Sequence, residues 1–442
     1  MSTAFPKALI VGLGKSGMSA ARYLHACGWQ LAATDSRADP PGSEEFRRLA
    51  PGAPLAMGEF ACPLLAGATI AIASPGVSLR EPIFREARRQ GIDVVGDVEL
   101  FTRAAAAPAV GITGTNGKST VTTLLGQMAE RAGLRVRVGG NLGTPALDLL
   151  GDPATQLYVL ELSSYQLEAA PSLRLRAATV LNVTPDHMDR YADTAQYAAA
   201  KAAIFARCGT AVVTDEDPWV RNMPTGRARR RTFAVATQAD YCIANHAGED
   251  WLHGPEGPLL AQRELRIRGR HNAANALAAL ALGDACGLPR PAMLQTLRDF
   301  TGLPHRSVCV RERRGVAWVD DSKGTNVGAT LAAVAGMPGP LLVIAGGDGK
   351  QQDFAPLAAA FRGKVRRVLL IGRDARQVAA ALHGVCELEF CSSLENAVAA
   401  AAQSAVAGDS VLLSPACASL DMFRDYAHRG DVFADAVRRL PE

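Results

Sequence analysis

No stretch of this sequence is apolar for long enough to span a bilayer. The amino terminus, MSTAFPKALIVGLG, enters a strand-like segment with no cationic stretch or cleavage site before it. Neither a membrane span nor a secretory leader is expected, and the expected location is the cytoplasm. The 9 cysteines never fall at CxxC spacing, which argues against a zinc site or a disulfide framework and fits a reducing compartment. Charge of either sign is also not in excess. The 47 basic and 43 acidic residues leave a net +4, too little for a nucleic-acid or membrane surface. The densest basic run, Arg227 with Arg229, Arg230 and Arg231, has no aromatic residue among its members and reads as a solvated loop. The expected partners are small molecules, with no nucleic acid, and the expected assembly is a monomer.

What the chain has is length and strand ends rich in glycine. Its 442 residues, 48% hydrophobic and 20% charged, exceed a single core and suit about two to four domains. Strand-like and helix-like segments alternate in three sections, which implies parallel, right-handed βαβ units and an α/β fold. The sections run over 1–97, 98–302 and 303–442. Strands are expected at Ala8–Val11, Leu31–Thr34 and Ala68–Ala73 in the first, and at Leu157–Leu160 and Ala178–Val183 in the second. The third offers Gly315–Val319, Leu341–Ala345, Val368–Ile371 and Ser410–Leu413. Between Thr232 and Gln262 periodicity is weak, and the segment reads as irregular strands or loops.

The strongest motif is GITGTNGKSTVTT, Gly111–Thr123. An apolar approach leads into a glycine turn, and Lys118, Ser119 and Thr120 open a helix. This arrangement holds a triphosphate: backbone N–H groups reach the phosphates, a lysine neutralises them and a hydroxyl ligates Mg²⁺. Val121, Leu124, Leu125 and Met128 give the helix one apolar face, and Gly133 is its expected stop. A strict Walker A has glycine five residues before Gly117, where this chain has Ile112. The first section carries a different glycine pattern, Gly12, Gly14 and Gly17 after a strand, with Asp35 ending the next one. By itself this is a dinucleotide fingerprint with Asp35 on a ribose hydroxyl. Any diphosphate suits such a helix start, however, and no second feature points to hydride transfer.

Lys201 is the sharpest single residue. Tyr197, Lys201, Ile204 and Phe205 share one helix face that is otherwise apolar. Such a lysine either snorkels to water or has a purpose. Burial lowers its pKa, exposing a nucleophilic amine that CO₂ converts to a carbamate.

GTNGKST resembles the nucleotide loop of the Mur ligase superfamily, ATP-dependent enzymes that join a carboxylate to an amine. ELSSYQLE, NVTPDHMDRY and SPACASLDMF extend the resemblance from Gly12 to Tyr426, and SPACASLDMF fits the branch that adds D-glutamate. The resemblance implies three domains: Rossmann-like at the N-terminus, a central P-loop-type ATP-binding domain, and a Rossmann-like C-terminal domain. It implies ATP and two Mg²⁺ ions, with Ser119, Glu161, His187 and carbamylated Lys201 as metal ligands. Lys118, Glu161, His187 and Lys201 are the expected catalytic set.

ATP contacts are implied for Gly114, Thr115, Asn116, Gly117, Lys118, Ser119, Thr120, Asn275, Arg306 and Asp321. Asn272 fits either an adenine-side contact or an N-cap. The UDP-substrate contacts are implied to be Lys15, Ser16, Asp35, Ser36, Arg37, Gly76, Asn141 and His187. D-glutamate contacts fall on Lys323, Thr325, Lys350, Ser419, Leu420 and Tyr426, the last often Phe in the family. The implied reaction adds D-glutamate to UDP-N-acetylmuramoyl-L-alanine through an acyl phosphate, in the making of peptidoglycan precursors. A sister amide ligase, or folylpolyglutamate synthase-like enzyme, and an NAD-binding dehydrogenase are the alternatives.

Overall fold

The structure is a computed structural model that describes residues 5–267 and 269–442. It contains three sheets. The first is wholly parallel and runs, edge to edge, Leu55–Met57, Gln30–Asp35, Lys7–Val11, Ala68–Ala73, Asp93–Gly96. A strand buried on both faces must be apolar throughout, and Ala8–Val11 is fully buried, as parallel sheets require.

The GxGxxG turn joins this central strand to the helix Lys15–Ala26. Its third glycine is a matter of packing. A Cβ on Gly17 would lie 1.9 Å from the Gly12 carbonyl oxygen and 2.6 Å from Ser74 Oγ. Ser74 in turn donates to that carbonyl at 2.6 Å.

The second sheet has nine strands. Its parallel part runs Val136–Gly140, Leu157–Glu161, Ala109–Thr113, Leu175–Val180, Cys208–Thr214, Arg229–Ala234, Tyr241–His246. The antiparallel strands Glu249–Gly254 and Gly257–Ala261 extend it. The weakly periodic region is therefore ordered strand. Its pattern is faint because residues such as His246, Glu249 and Asp250 are exposed.

The third sheet runs Val308–Arg313, Val316–Asp320, Ser410–Leu413, Leu341–Gly346, Val365–Ile371, Glu387–Phe390, with only its first pair antiparallel. The chain divides into two compact units. One comprises 1–183, 195–264 and 274–298 and holds the first two sheets. The other comprises 184–194, 265–273 and 299–442 and holds the third. Among the described residues, no helix is long and apolar enough to cross a membrane.

Candidate active site

In the first unit, the strand Ala109–Thr113 delivers the phosphate loop to the helix Lys118–Arg131. Val121, Leu124, Leu125 and Met128 are all fully buried beneath it. Gly117 caps the helix at φ +84°, a conformation that favours glycine, and Gly133 sits just past its end, also at φ +84°. The Lys118 ammonium donates to the carbonyls of Gly114 (2.9 Å) and Thr115 (2.8 Å). It therefore stands over the turn, where phosphate oxygens belong. Asn182, not singled out in the sequence, braces the loop. Its backbone carbonyl accepts from Thr115 N at 2.9 Å. Its side chain accepts from Asn116 N at 2.8 Å and donates to Asn116 O at 3.1 Å. A Cβ on Gly117 would come within 2.4 Å of Asn275 Oδ1, so Asn275 lies against the loop. Asn272 is the third residue of the helix Arg270–Cys286, so it is not an N-cap.

Glu161 ends its strand almost wholly buried. Its Oε1 accepts from Asn141 Nδ2 at 2.8 Å, whereas its Oε2 is buried with no hydrogen-bond partner. An orphaned carboxylate oxygen of this kind calls for a cation. Ser119 and Thr120 are both 4% exposed at the helix start.

Lys201 does not snorkel. It is 1% exposed, donates from Nζ to Gly114 O at 3.0 Å, and lies 4.3 Å from the centre of the Tyr197 ring. The α-helix ends at Ala202, and Ile204 and Phe205 continue the apolar face in a 3₁₀ turn. Lys118 and Lys201 thus converge on one carbonyl, that of Gly114.

In the first sheet, Asp35 is saturated. Oδ2 accepts from Leu13 N (2.7 Å) and Arg37 Nη2 (2.7 Å), and Oδ1 accepts from Arg37 N and Nε (both 2.9 Å). Burial raises this carboxyl, but the bonds from Arg37 and Leu13 outweigh it and hold the group below the usual range. An ionised carboxylate offers about four acceptor positions, so none is left for a ribose hydroxyl, contrary to the dinucleotide alternative. Lys15, Ser36, Arg37, Gly76 and Asn141 are exposed, and Ser16 is half-buried at the helix start.

The second unit gathers the remaining residues. Lys350, at φ +50°, pairs with Asp186 Oδ1 at 2.5 Å. Asp186 also accepts from Asn326 Nδ2 at 3.3 Å and lies 3.8 Å from Nε2 of His187. Asp186 was not singled out in the sequence. Lys323 Nζ sits 3.6 Å from the centre of the Tyr426 ring. Ser419 is buried and Leu420 exposed. Arg429 was missed, being one arginine on an ordinary helix. It is 1% exposed and donates to Ser322 O (2.8 Å), Ser322 Oγ (3.0 Å), Cys417 O (3.1 Å) and Ala418 O (3.3 Å). It ties the VDDSKGTN and SPACASLDMF loops together.

Asp321 accepts from Ser414 Oγ (2.8 Å) and from Ser307 N (3.1 Å) and Oγ (3.3 Å). Burial is the main influence and pushes this carboxyl up to about 7, against the opposing pull of the Ser414 bond and the Arg306 charge. Burial, and then the charge of Arg306, lowers the nearby imidazole of His271. Between the ordinary carboxylate range and about 7, the folded chain then holds one proton more than the unfolded chain, so stability falls as pH rises through that window. Urea unfolding of this unit should lose on the order of 3 kcal/mol between pH 5 and pH 8 through this group. Asp321→Asn should remove that share, and an unchanged slope would disprove the assignment.

Of the expected metal ligands, Ser119, Glu161 and Lys201 belong to the first unit and His187 to the second. Among the described residues, no group of three or more His, Cys, Asp or Glu is placed to hold a metal ion. The expected set draws on a serine and a lysine beside one carboxylate and one histidine.

The chain matches the Mur ligase MurD-like N-terminal domain over residues 6–96, the Mur ligase middle domain over 112–283 and the Mur ligase glutamate ligase domain over 305–417. It is 50% identical over 436 residues to the UDP-N-acetylmuramoylalanine–D-glutamate ligase of Nitrosococcus oceani, covering 98% of this chain and 96% of that one. Against the ligase of the same name from Methylococcus capsulatus the identity is 49%, over 98% and 95%. Among solved structures, UDP-N-acetylmuramate–alanine ligase MurC of Thermotoga maritima shares the fold at a TM-score of 0.62 and 17% identity, over 98% and 99% of the two chains. A pseudomurein peptide ligase type C from Methanothermus fervidus does so at 0.60 and 16%, over 92% and 96%. The chain therefore belongs to the Mur ligases, in the family of the UDP-N-acetylmuramoylalanine–D-glutamate ligases.

Proposed function

We propose that this protein is an ATP-dependent ligase that adds D-glutamate to UDP-N-acetylmuramoyl-L-alanine in the cytoplasm, as a monomer. The observation that carries this reading is the convergence of Lys118 and Lys201 on the Gly114 carbonyl of the phosphate loop, next to Glu161 on the strand paired with the one that enters the loop. Residues 1–97 would take the UDP-substrate, 98–302 ATP and 303–442 D-glutamate.

A carboxylate is a poor acyl donor, because oxide is a poor leaving group. The terminal alanine carboxylate would attack the γ-phosphorus of ATP, and ADP would leave. The amine of D-glutamate would then attack the acyl phosphate carbon, losing a proton, and inorganic phosphate would depart from the tetrahedral intermediate. Lys118 neutralises the transferring phosphoryl group and the loop N–H groups orient it. Arg306, Asp321 and Asn275 would seat ATP. Lys323, Thr325, Lys350, Ser419, Leu420 and Tyr426 would seat D-glutamate, whose two carboxylates suit the two lysines.

Mg²⁺ fits the first unit, since Glu161 Oε2 is an unsatisfied, buried, hard oxygen donor. Ser119, Glu161, His187 and Lys201 carrying a carbamate would hold two ions, which when bound would neutralise phosphate charge. A carbamate turns Lys201 from a cation into the anionic oxygen ligand such ions favour.

The likeness of the whole chain to D-glutamate-adding ligases, and of residues 6–96 to their N-terminal domain, favours the uridine reading of the first sheet over NAD. Calorimetry should show micromolar binding of UDP-N-acetylmuramoyl-L-alanine and at least about tenfold weaker binding of NAD⁺. The opposite order would overturn it.

A further inference from the structure

Lys323 is held at both ends through one residue outside the D-glutamate set, His305. All the residues involved belong to the second unit. The His305 backbone turns at φ +60°, and its carbonyl accepts from Lys323 N at 3.0 Å. Its ring Nδ1 meets Asp320 Oδ2 at 2.6 Å, and Asp320 Oδ1 accepts from Ser322 N at 2.9 Å. The imidazole is thereby pinned to the strand end and turn that lead into Lys323. On its other side, Nε2 faces the exposed Asp431 Oδ1 at 3.7 Å. The ring also packs edge-on against Tyr426, with centroids 6.3 Å apart and planes at 78°. Tyr426 in turn carries the Lys323 ammonium, 3.6 Å from its ring centre, and its carbonyl accepts from Ser322 Oγ at 2.7 Å. The helix Tyr426–Arg439 leaves room for the histidine at one buried glycine. A Cβ on Gly430 would stand 2.1 Å from His305 Nδ1 and 2.8 Å from Asp320 Oδ2, the two atoms of the bond itself.

We propose that His305 is a positioning residue for D-glutamate: clamped by Asp320 in the space that Gly430 leaves, it fixes Lys323 at its backbone and, through Tyr426, at its ammonium. The inference rests on the reading of Lys323 as a contact to a D-glutamate carboxylate. A lysine ammonium rides on a flexible four-carbon stem. Ordering it in the free protein removes that cost from binding. The face of an aromatic ring attracts an ammonium, and an edge-on neighbour sets the plane of that face. His305 supplies the edge and Tyr426 the face. Arg306, the next residue, is steadied separately. Ser307 beyond it donates to Asp321 Oδ1 from N at 3.1 Å and from Oγ at 3.3 Å. Disturbing the imidazole should therefore weaken D-glutamate binding and spare ATP.

The test measures ligation in the wild-type chain, His305→Ala, His305→Asn and Gly430→Ala, varying each substrate in turn and recording each melting temperature. Alanine at 305 removes the ring and its bond to Asp320. Gly430→Ala keeps the histidine and pushes it off Asp320, so it carries the test if His305→Ala does not fold. Both should raise KM for D-glutamate about tenfold, with kcat within about threefold and the KM values for ATP and the uridine substrate within about twofold. Asparagine can offer an amide to Asp320 and tolerates a positive φ. His305→Asn should therefore recover most of the lost affinity. Given wild-type turnover, three results would overturn the inference alone: an unchanged KM for D-glutamate in the folded alanine variants, an asparagine variant as impaired as His305→Ala, or equal loss for all three substrates. A wild-type chain that does not turn over D-glutamate would overturn the functional reading and this inference with it.

Discussion

Lys118→Ala should lose ligation by about a thousandfold or more in kcat, because the charge of the transferring phosphoryl group then goes uncompensated. The ammonium also braces the turn, through the carbonyls of Gly114 and Thr115. The fold should nevertheless persist, since Asn182 holds the loop through three further hydrogen bonds. The melting temperature should therefore stay within a few degrees while phosphate release disappears. Full activity in the folded variant would remove the phosphate loop from the mechanism.

The second large effect is expected at Lys201. Its side chain is buried against the Tyr197 ring, and its nitrogen already touches the loop at Gly114 O. With Lys201 as the proposed carbamate ligand, its loss should cost about a hundredfold in activity. Lys201→Ala also leaves a cavity next to the loop, and acetate or formate, added as salts, can place a carboxylate in it. Partial recovery by these acids is expected for alanine. None is expected for Lys201→Met, which fills the space. Wild-type-like activity in Lys201→Ala without added acid would show that the lysine only packs. Carbamates are labile in acid, so intact-mass measurements on the modified lysine must be made at neutral pH.

Features of the site carried by short spacing were legible in the sequence. Gly-Lys-Ser-Thr at a helix start, a carboxylate ending an apolar run and a lysine on an apolar helix face each need only a few neighbours to be recognised. The structure brings the two lysines together on the Gly114 carbonyl and sets the Glu161 strand beside the one that enters the loop. The alternation of strands also gave the α/β class and the three sections. The extension of the second sheet by Tyr241–His246, Glu249–Gly254 and Gly257–Ala261 was not legible, because edge strands with an exposed face have no strong period. Pairs distant in sequence were hidden for another reason. Asp97 with Gln166, Asp186 with Lys350, and Arg429 with Ser322 and Cys417 are separated by at least 12 residues and mostly by many more. Nothing local marks them, and only the folded chain brings them into contact. The dinucleotide fingerprint is weak by itself, since any diphosphate suits such a helix start. Gly12 and Gly17 answer to packing around Ser74, and its acidic residue to Leu13 and Arg37.

The central claim is that the chain makes one amide, between UDP-N-acetylmuramoyl-L-alanine and D-glutamate, at the expense of ATP. Phosphate release measured with that uridine substrate, ATP, Mg²⁺ and a panel of amino acids tests it most directly. The account predicts one phosphate per amide with D-glutamate, and background release with L-glutamate, L-alanine, meso-diaminopimelate or no amino acid. Release driven by a different amino acid, or none with D-glutamate, would contradict it.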